Sequence, residues 1–159
     1  MNEFVLVLLG IACALIVALI AYPSQVFIKM RTNRNKINNI FAQIKGQVDI
    51  KHTLLKEYIE INKDSIGEEK FNIINEKINS YKMSVKSVDT LKDYNDMYAY
   101  YMKSFDDNLL INQCNESEEK INHIKEYYNE LVYFYNRYKA SPVNSFLAKA
   151  LSIEDEKLY

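Results

Sequence analysis

The chain has 159 residues, with 20 basic and 21 acidic side chains and a formal charge of −1, a balance that excludes bulk nucleic-acid binding, which needs a positive surplus. Three glycines and two prolines leave little turn chemistry, so the composition predicts an all-α protein of long helices. Two cysteines do not make a disulfide framework.

Residues 1–3 form a short N-terminal tail. Phe4 to Ala21 is then an unbroken apolar run of 18 residues with one glycine and no charge. As a helix it rises about 27 Å, close to the roughly 30 Å hydrocarbon core. Residues 4–22 are therefore expected to form a transmembrane helix that ends at Tyr22-Pro23. A cleavable signal peptide needs a basic start and a small-x-small cleavage site; Met1-Asn2-Glu3 has no basic side chain, and pairs such as Leu19/Ala21 do not fit. Cys13 follows Gly10-Ile11-Ala12, but a lipoprotein needs a leucine-like residue where Gly10 stands. The apolar run also continues past Cys13, which reads as a plain membrane-buried cysteine.

Lys29, Arg31, Arg34, Lys36 and Lys45 follow the run with no acid among them. The positive-inside rule then puts residues 23–159 in the cytoplasm and the N-terminus outside. These side chains either set topology alone or also touch anionic lipid headgroups, with Lys29, Arg31, Arg34 and Lys36 the candidate contacts.

Residues 23–151 read as a helical bundle. Met30, Ile37, Phe41, Ile44, Val48, Leu55 and Tyr58 are separated by sums of three and four and share one helix face, interrupted by Arg34 and Lys51. Lys63-Asp64-Ser65-Ile66-Gly67 breaks the pattern, and Ser65 with Glu68 resembles a capping box. A second helix carries Phe71, Ile74, Ile78, Tyr81, Val85 and Val88, then Leu91, Tyr94, Tyr98, Tyr101 and Phe105. The heptad phase slips at Val88, which predicts overwinding or a break near Ser87. Asp106-Asp107-Asn108 supplies N-cap candidates. The third long helix has the cleanest heptad: Leu110, Cys114, Ser117, Ile121, Ile124, Tyr128, Leu131, Tyr135 and Tyr138. Ser141-Pro142 marks a stop and restart, with Ser141 as cap. A short amphipathic helix follows with Val143, Phe146, Leu147, Ala150 and Leu151 on one face. The acidic tail 152–159 is expected to fray. Short connections between helices of similar length predict an antiparallel up-and-down bundle of three long helices, or four if the second breaks near Ser87.

Few side chains here carry catalytic chemistry. His52 and His123 have no metal-ligand partners at the usual spacing and read as surface or boundary residues. No Gly-rich phosphate loop and no Glu-x-x-His motif occurs. No cofactor, metal, small-molecule substrate or nucleic acid is expected, and the chain reads as a non-enzyme. Of the thirteen tyrosines, nine cluster at Tyr94–Tyr101 and Tyr127–Tyr138. They fill a core or form a partner surface. Tyr127, Tyr133 and Phe134 fall off the seam, and they are the candidate partner surface.

Tyr128-Asn129 and Tyr135-Asn136 repeat a Tyr-Asn pair seven residues apart, followed by Pro142 and Asn144. Together with Glu118, Ile121, Val132 and Ala148 this segment resembles the C-terminal signature of the LemA family. The resemblance is strong over residues 116–150 and fair over 1–60, where Phe41, Gln43 and Leu54-Leu55 stand at family positions. Between them it is weak. The family's Arg-Arg-Tyr-Asp segment falls on Ile50-Lys51-His52-Thr53, which departs from it. The resemblance implies a single-span membrane protein with a cytoplasmic helical bundle and no known catalytic activity. By their spacing, Tyr128 and Tyr135 would fill the seam, while Asn129 and Asn136 would bond a neighbouring helix and fix its register, the alternative being contact with a ligand or peptide. The expected function is a membrane-localised interaction or scaffold protein working through protein partners or self-association. The alternative is a lipid-surface or membrane-stress factor using the basic stretch and the last helix.

Overall fold

The helical periodicities are realised along almost the whole chain. The computed structural model describes residues 3–84, 87–103 and 109–159, and backbone alone at 82–84. The expectations placed on Val85, Phe105 and Asp106-Asp107-Asn108 lie outside the described residues. The six helices are α1 (Glu3–Ile61), α2 (Lys63–Ile66), α3 (Glu68–Ser84), α4 (Val88–Met102), α5 (Leu109–Ala140) and α6 (Pro142–Ala150), with no strand among the described residues. The all-α class expected from composition is the class observed.

The joints differ in detail from the sequence reading. α1 does not stop at Pro23 but carries it inside a single helix of 59 residues. The proline removes one backbone donor, the partner of the Leu19 carbonyl. Ending the helix there would orphan four carbonyls, so continuing is cheaper. The Ser24 hydroxyl donates to the Ile20 carbonyl in the same turn, at 2.9 Å. Ser65 forms no capping box because it lies inside α2. Gly67 makes the turn instead, at φ 85°, a conformation that favours glycine, and its carbonyl accepts from the Phe71 amide at 2.9 Å. The second helix is broken where the heptad slips: Ser87 is extended and its hydroxyl caps α4 by accepting from the Thr90 amide at 3.2 Å.

The chain forms two compact units, Met1–Lys36 with Tyr133–Glu156, and Ile37–Val132 with Lys157–Tyr159. In the second unit the contacts give the helix directions directly. Phe41 meets Tyr128 and Lys51 meets Glu118, so α1 and α5 run antiparallel. His52 meets Tyr81 while Lys56 meets Asn79, so α1 and α3 do too. Its core is Ile37, Ile44, Val48, Leu55, Ile59, Ile74, Ile78, Leu91, Ile121 and Val132, all buried. Each such side chain contributes about 1.5–3 kcal/mol on burial. In the first unit Val26 and Met30 of α1 are buried together with Tyr135 of α5 and Ala148 of α6. The apolar stretch of α1 qualifies by length and composition as a membrane span and is not buried inside the protein.

Candidate functional site

In the first unit, the site is built around the end of the apolar stretch of α1. Ser141 is extended and Pro142 opens α6, as the sequence suggested, but the Ser141 hydroxyl caps nothing. Its carbonyl accepts from the Ser145 amide at 2.8 Å instead. Asn144 ties the helices together. Its Nδ2 donates to the Tyr138 carbonyl near the end of α5 at 3.0 Å, and its Oδ1 accepts from the Tyr22 hydroxyl of α1 at 3.2 Å. α6 is thereby held beside the last turns of the apolar stretch. Leu15, Ala18, Leu19, Tyr22 and Pro23 line one side of an apolar groove, and Val143, Phe146 and Leu147 line the other. Phe146 is 74 % exposed and Val143 58 %.

Of the four candidate headgroup contacts, two are engaged within the unit. The Lys29 ammonium lies 4.6 Å from the centre of the Tyr138 ring, and Arg34 pairs with Glu156 at 2.7 Å. Arg31 and Lys36 are exposed. Tyr135 fills the seam, as its spacing predicts. Its hydroxyl is buried without a hydrogen-bond partner, and burial pushes it above its ordinary pKa, with Arg34 offsetting part of that rise. Tyr133 and Phe134 next to it are 56 % and 55 % exposed and meet edge to face, their ring centres 5.7 Å apart.

The tail does not fray. Ser152 adopts φ 51° after α6, its amide donates to the Lys149 carbonyl at 3.1 Å, and the Ile153 amide donates to Ala148 at 2.9 Å. This is a Schellman closure, and it turns the chain back along α5. Asn136 then holds the backbone of Glu156 in both directions: the Glu156 amide donates to Oδ1 at 3.0 Å, and Nδ2 donates to the Glu156 carbonyl at 2.8 Å. Lys139 donates to the Ile153 carbonyl at 3.2 Å and pairs with Asp155. So Asn136 does not bond a neighbouring helix. A carboxamide matches the backbone donor and acceptor of one residue, and the chain supplies one from its own tail.

In the second unit Asn129 repeats the arrangement on Tyr159. The Tyr159 amide donates to Oδ1 at 2.8 Å and Nδ2 donates to the Tyr159 carbonyl at 3.3 Å. Tyr128 is buried in the seam, and its hydroxyl donates to the Lys157 carbonyl at 3.0 Å. Tyr127 is exposed in this unit.

Two buried polar clusters in the same unit escaped the sequence reading. Lys51 is 0 % exposed; its ammonium donates to Asn95 Oδ1 at 2.7 Å and pairs with Glu118, which also accepts from Asn95 Nδ2 at 3.3 Å. The signal was present: Lys51 sits three after Val48 and four before Leu55, on the buried face it was read as interrupting. His52 is buried rather than a boundary residue. It stacks on Tyr81, ring centres 5.0 Å apart, and its Nδ1 is 2.9 Å from the Tyr98 hydroxyl. Tyr81 and Tyr98 flank it and Tyr94 packs against both, which a pattern of apolar periodicity does not reveal. Burial pushes the Tyr98 and Tyr81 hydroxyls well up, and the Asp49 carboxylate adds to the rise at Tyr81. Burial pushes the Cys114 thiol up to about 11, against a smaller opposing pull from Lys51. His123 is exposed. Among the described residues no group of three or more His, Cys, Asp or Glu is gathered to hold a metal ion.

The family model of the LemA family matches residues 23–159, which takes in the bundle, both Tyr-Asn pairs and the tail they hold. The chain belongs to the LemA family. No curated protein and no solved structure matches it. The LemA match extends through the weakly resembling middle of the chain and through Lys51 and His52, where this sequence departs from the motif quoted above.

Proposed function

We propose that this LemA-family chain is a non-catalytic, membrane-anchored interaction protein. Residues 4–22 cross the bilayer with the N-terminus outside, and the bundle works in the cytoplasm. The observation that carries the reading is the exposed Tyr133–Phe134 pair, left out of the core on a helix whose neighbouring Val132 and Tyr135 are fully packed. Exposed adjacent aromatics supply large contact area at low entropy cost, which is what a partner-binding hot spot needs. The family match supports the type of protein and assigns no molecular activity. A pull-down from solubilised membranes is expected to recover a reproducible protein partner that Tyr133→Ala with Phe134→Ala weakens at least tenfold. An unchanged partner list overturns this surface. A reporter fused after Tyr159 is expected to be active only on the cytoplasmic side.

The second reading, a lipid-surface or membrane-stress factor, is favoured by one specific observation: α6 exposes Val143 and Phe146 beside the apolar stretch of α1. In this reading residues 4–22 span the bilayer and α6 lies on the interface as an amphipathic helix. The basic stretch contributes less than its charge suggests, because Lys29 and Arg34 are already engaged. The chain with Phe146→Trp, in vesicles, is expected to show blue-shifted emission quenched by brominated lipids; emission typical of water removes this reading.

A further inference from the structure

The α1 wall of the groove beside α6 continues past the apolar stretch. Leu15, Leu19 and Pro23 of that wall are four residues apart, and the same row runs on through Phe27 to Arg31. Residues four apart are neighbours on a helix surface. Phe27 and Arg31 line a smaller cavity one turn further on, together with Met30 and Arg34. One ridge of α1, all of it in the first unit, thus passes from hydrocarbon to a guanidinium.

The two ends of the ridge call for different chemistry. The groove holds about 650 Å³. The Tyr22 hydroxyl is the one polar side-chain atom on its lining, and it already donates to Asn144 Oδ1. The groove therefore offers an occupant only apolar burial. At the other end Arg34 is held by Glu156, Lys139 by Asp155, and Lys29 lies on the Tyr138 ring. Arg31 is exposed and has no ion-pair partner among the described residues. The rise from Pro23 to Arg31 is about 12 Å, and helix side chains lean toward the N-terminus, which for Arg31 is the direction of the groove. A guanidinium fork takes two phosphate oxygens at once.

We propose that this ridge binds one anionic phospholipid of the cytoplasmic leaflet, with an acyl chain in the groove between α1 and α6 and the phosphate on Arg31. The proposal rests on the reading that residues 4–22 span the bilayer. It goes beyond α6 lying on the interface, because it names the lipid class and the residue that selects it. Two observations favour this occupant. The groove wall is about the last two turns of the span, so the medium at that depth is acyl chain. The unpaired cation at the end of the same ridge matches an anionic headgroup, whereas an apolar helix seated in the groove leaves Arg31 without an anion.

The chain has no tryptophan, so single tryptophans report cleanly. Phe146→Trp reports from the groove, and Val17→Trp from an exposed part of the span that does not line it. Each full-length variant is placed in phosphatidylcholine vesicles with a minor fraction of brominated lipid, either phosphatidylglycerol or phosphatidylcholine carrying the same brominated chains. The bromines lie at one depth in both, so the ratio of quenching reports lipid identity. Phosphatidylglycerol is expected to quench Phe146→Trp at least threefold more than phosphatidylcholine, and Val17→Trp equally. Adding Arg31→Gln should bring the ratio at 146 to parity. Ala18→Phe, which fills the groove with Arg31 intact, should do the same, with circular dichroism showing that the helices persist. Equal quenching by the two lipids at 146, or a preference that survives Arg31→Gln, overturns the proposal. So does exclusion of both lipids from 146 alone, which assigns the groove to a protein helix. In each of these cases quenching at 17 leaves the span reading standing. Quenching by neither lipid at either position overturns the span reading and the proposal together.

Discussion

The two compact units put their polar side chains to different uses. The first leaves Leu15, Leu19, Val143 and Phe146 uncovered and spends its polar side chains on joints: Asn144 between Tyr22 and Tyr138, Arg34 on Glu156, Asn136 on the Glu156 backbone. The second buries polar groups among Ile44, Val48, Leu55, Ile78 and Leu91, with Lys51, Asn95 and Glu118 in contact and His52 stacked on Tyr81. An apolar surface left open is stable where the surroundings are apolar. A buried lysine is tolerable only where its charge is paired and hydrogen-bonded. The contrast teaches that polar side chains serve as joints between chain segments in one unit and as partners for a buried ammonium in the other, although both draw on the same two long helices.

The largest expected effect strikes at the second unit. Lys51→Met leaves Glu118 and Asn95 without their cation, and is expected to cost about 2–3 kcal/mol in urea unfolding of the full chain in micelles, less than for a wholly buried pair because Glu118 is partly exposed. A cost below about 0.5 kcal/mol would mean that the network is incidental. In the first unit Asn144→Ala removes two hydrogen bonds at the joint of α1, α5 and α6 and should cost about 1–2 kcal/mol. Ser152→Gly relieves a left-handed serine at the end of α6 and should stabilise by up to about 1 kcal/mol. The smallest effect is on pH dependence. Cys114 keeps its proton in the folded chain up to about 11, against an ordinary 9.0. The folded state therefore binds more protons than the unfolded one between those values, so this contribution is intact below pH 9 and stability falls as pH rises toward 11. Cys114→Ser should flatten that decline, and thiol reagents at pH 8 should leave Cys114 unmodified until the chain unfolds.

Much of the fold was legible because helix periodicity is a local signal. The face Met30, Ile37, Ile44, Val48, Leu55 is buried as its spacing requires, and the phase slip at Val88 is a real break capped by Ser87. What was not legible depended on partners far along the chain. Nothing local shows that Asn129 and Asn136 face their own tail, since the groups they bind are backbone and carry no sequence signature. Lys51 and His52 looked out of place for a similar reason: their partners Asn95, Glu118 and Tyr98 lie some 45–70 residues away. Pro23 failed as a stop because helix continuity beyond it, in the bundle, outweighs one lost donor.

The surroundings of the first unit's exposed side chains can be measured in a single sample type. Spin labels placed one at a time by Leu15→Cys, Phe146→Cys and Tyr133→Cys, each with Cys13→Ser, in full-length protein reconstituted in vesicles, report contact with lipid through oxygen and with water through a nickel chelate. Membrane anchoring with α6 at the interface and the aromatic pair free for a partner predicts oxygen-dominated relaxation at 15 and 146, and nickel-dominated relaxation at 133. Nickel-dominated relaxation at 15, or lipid contact at 133, would contradict the account.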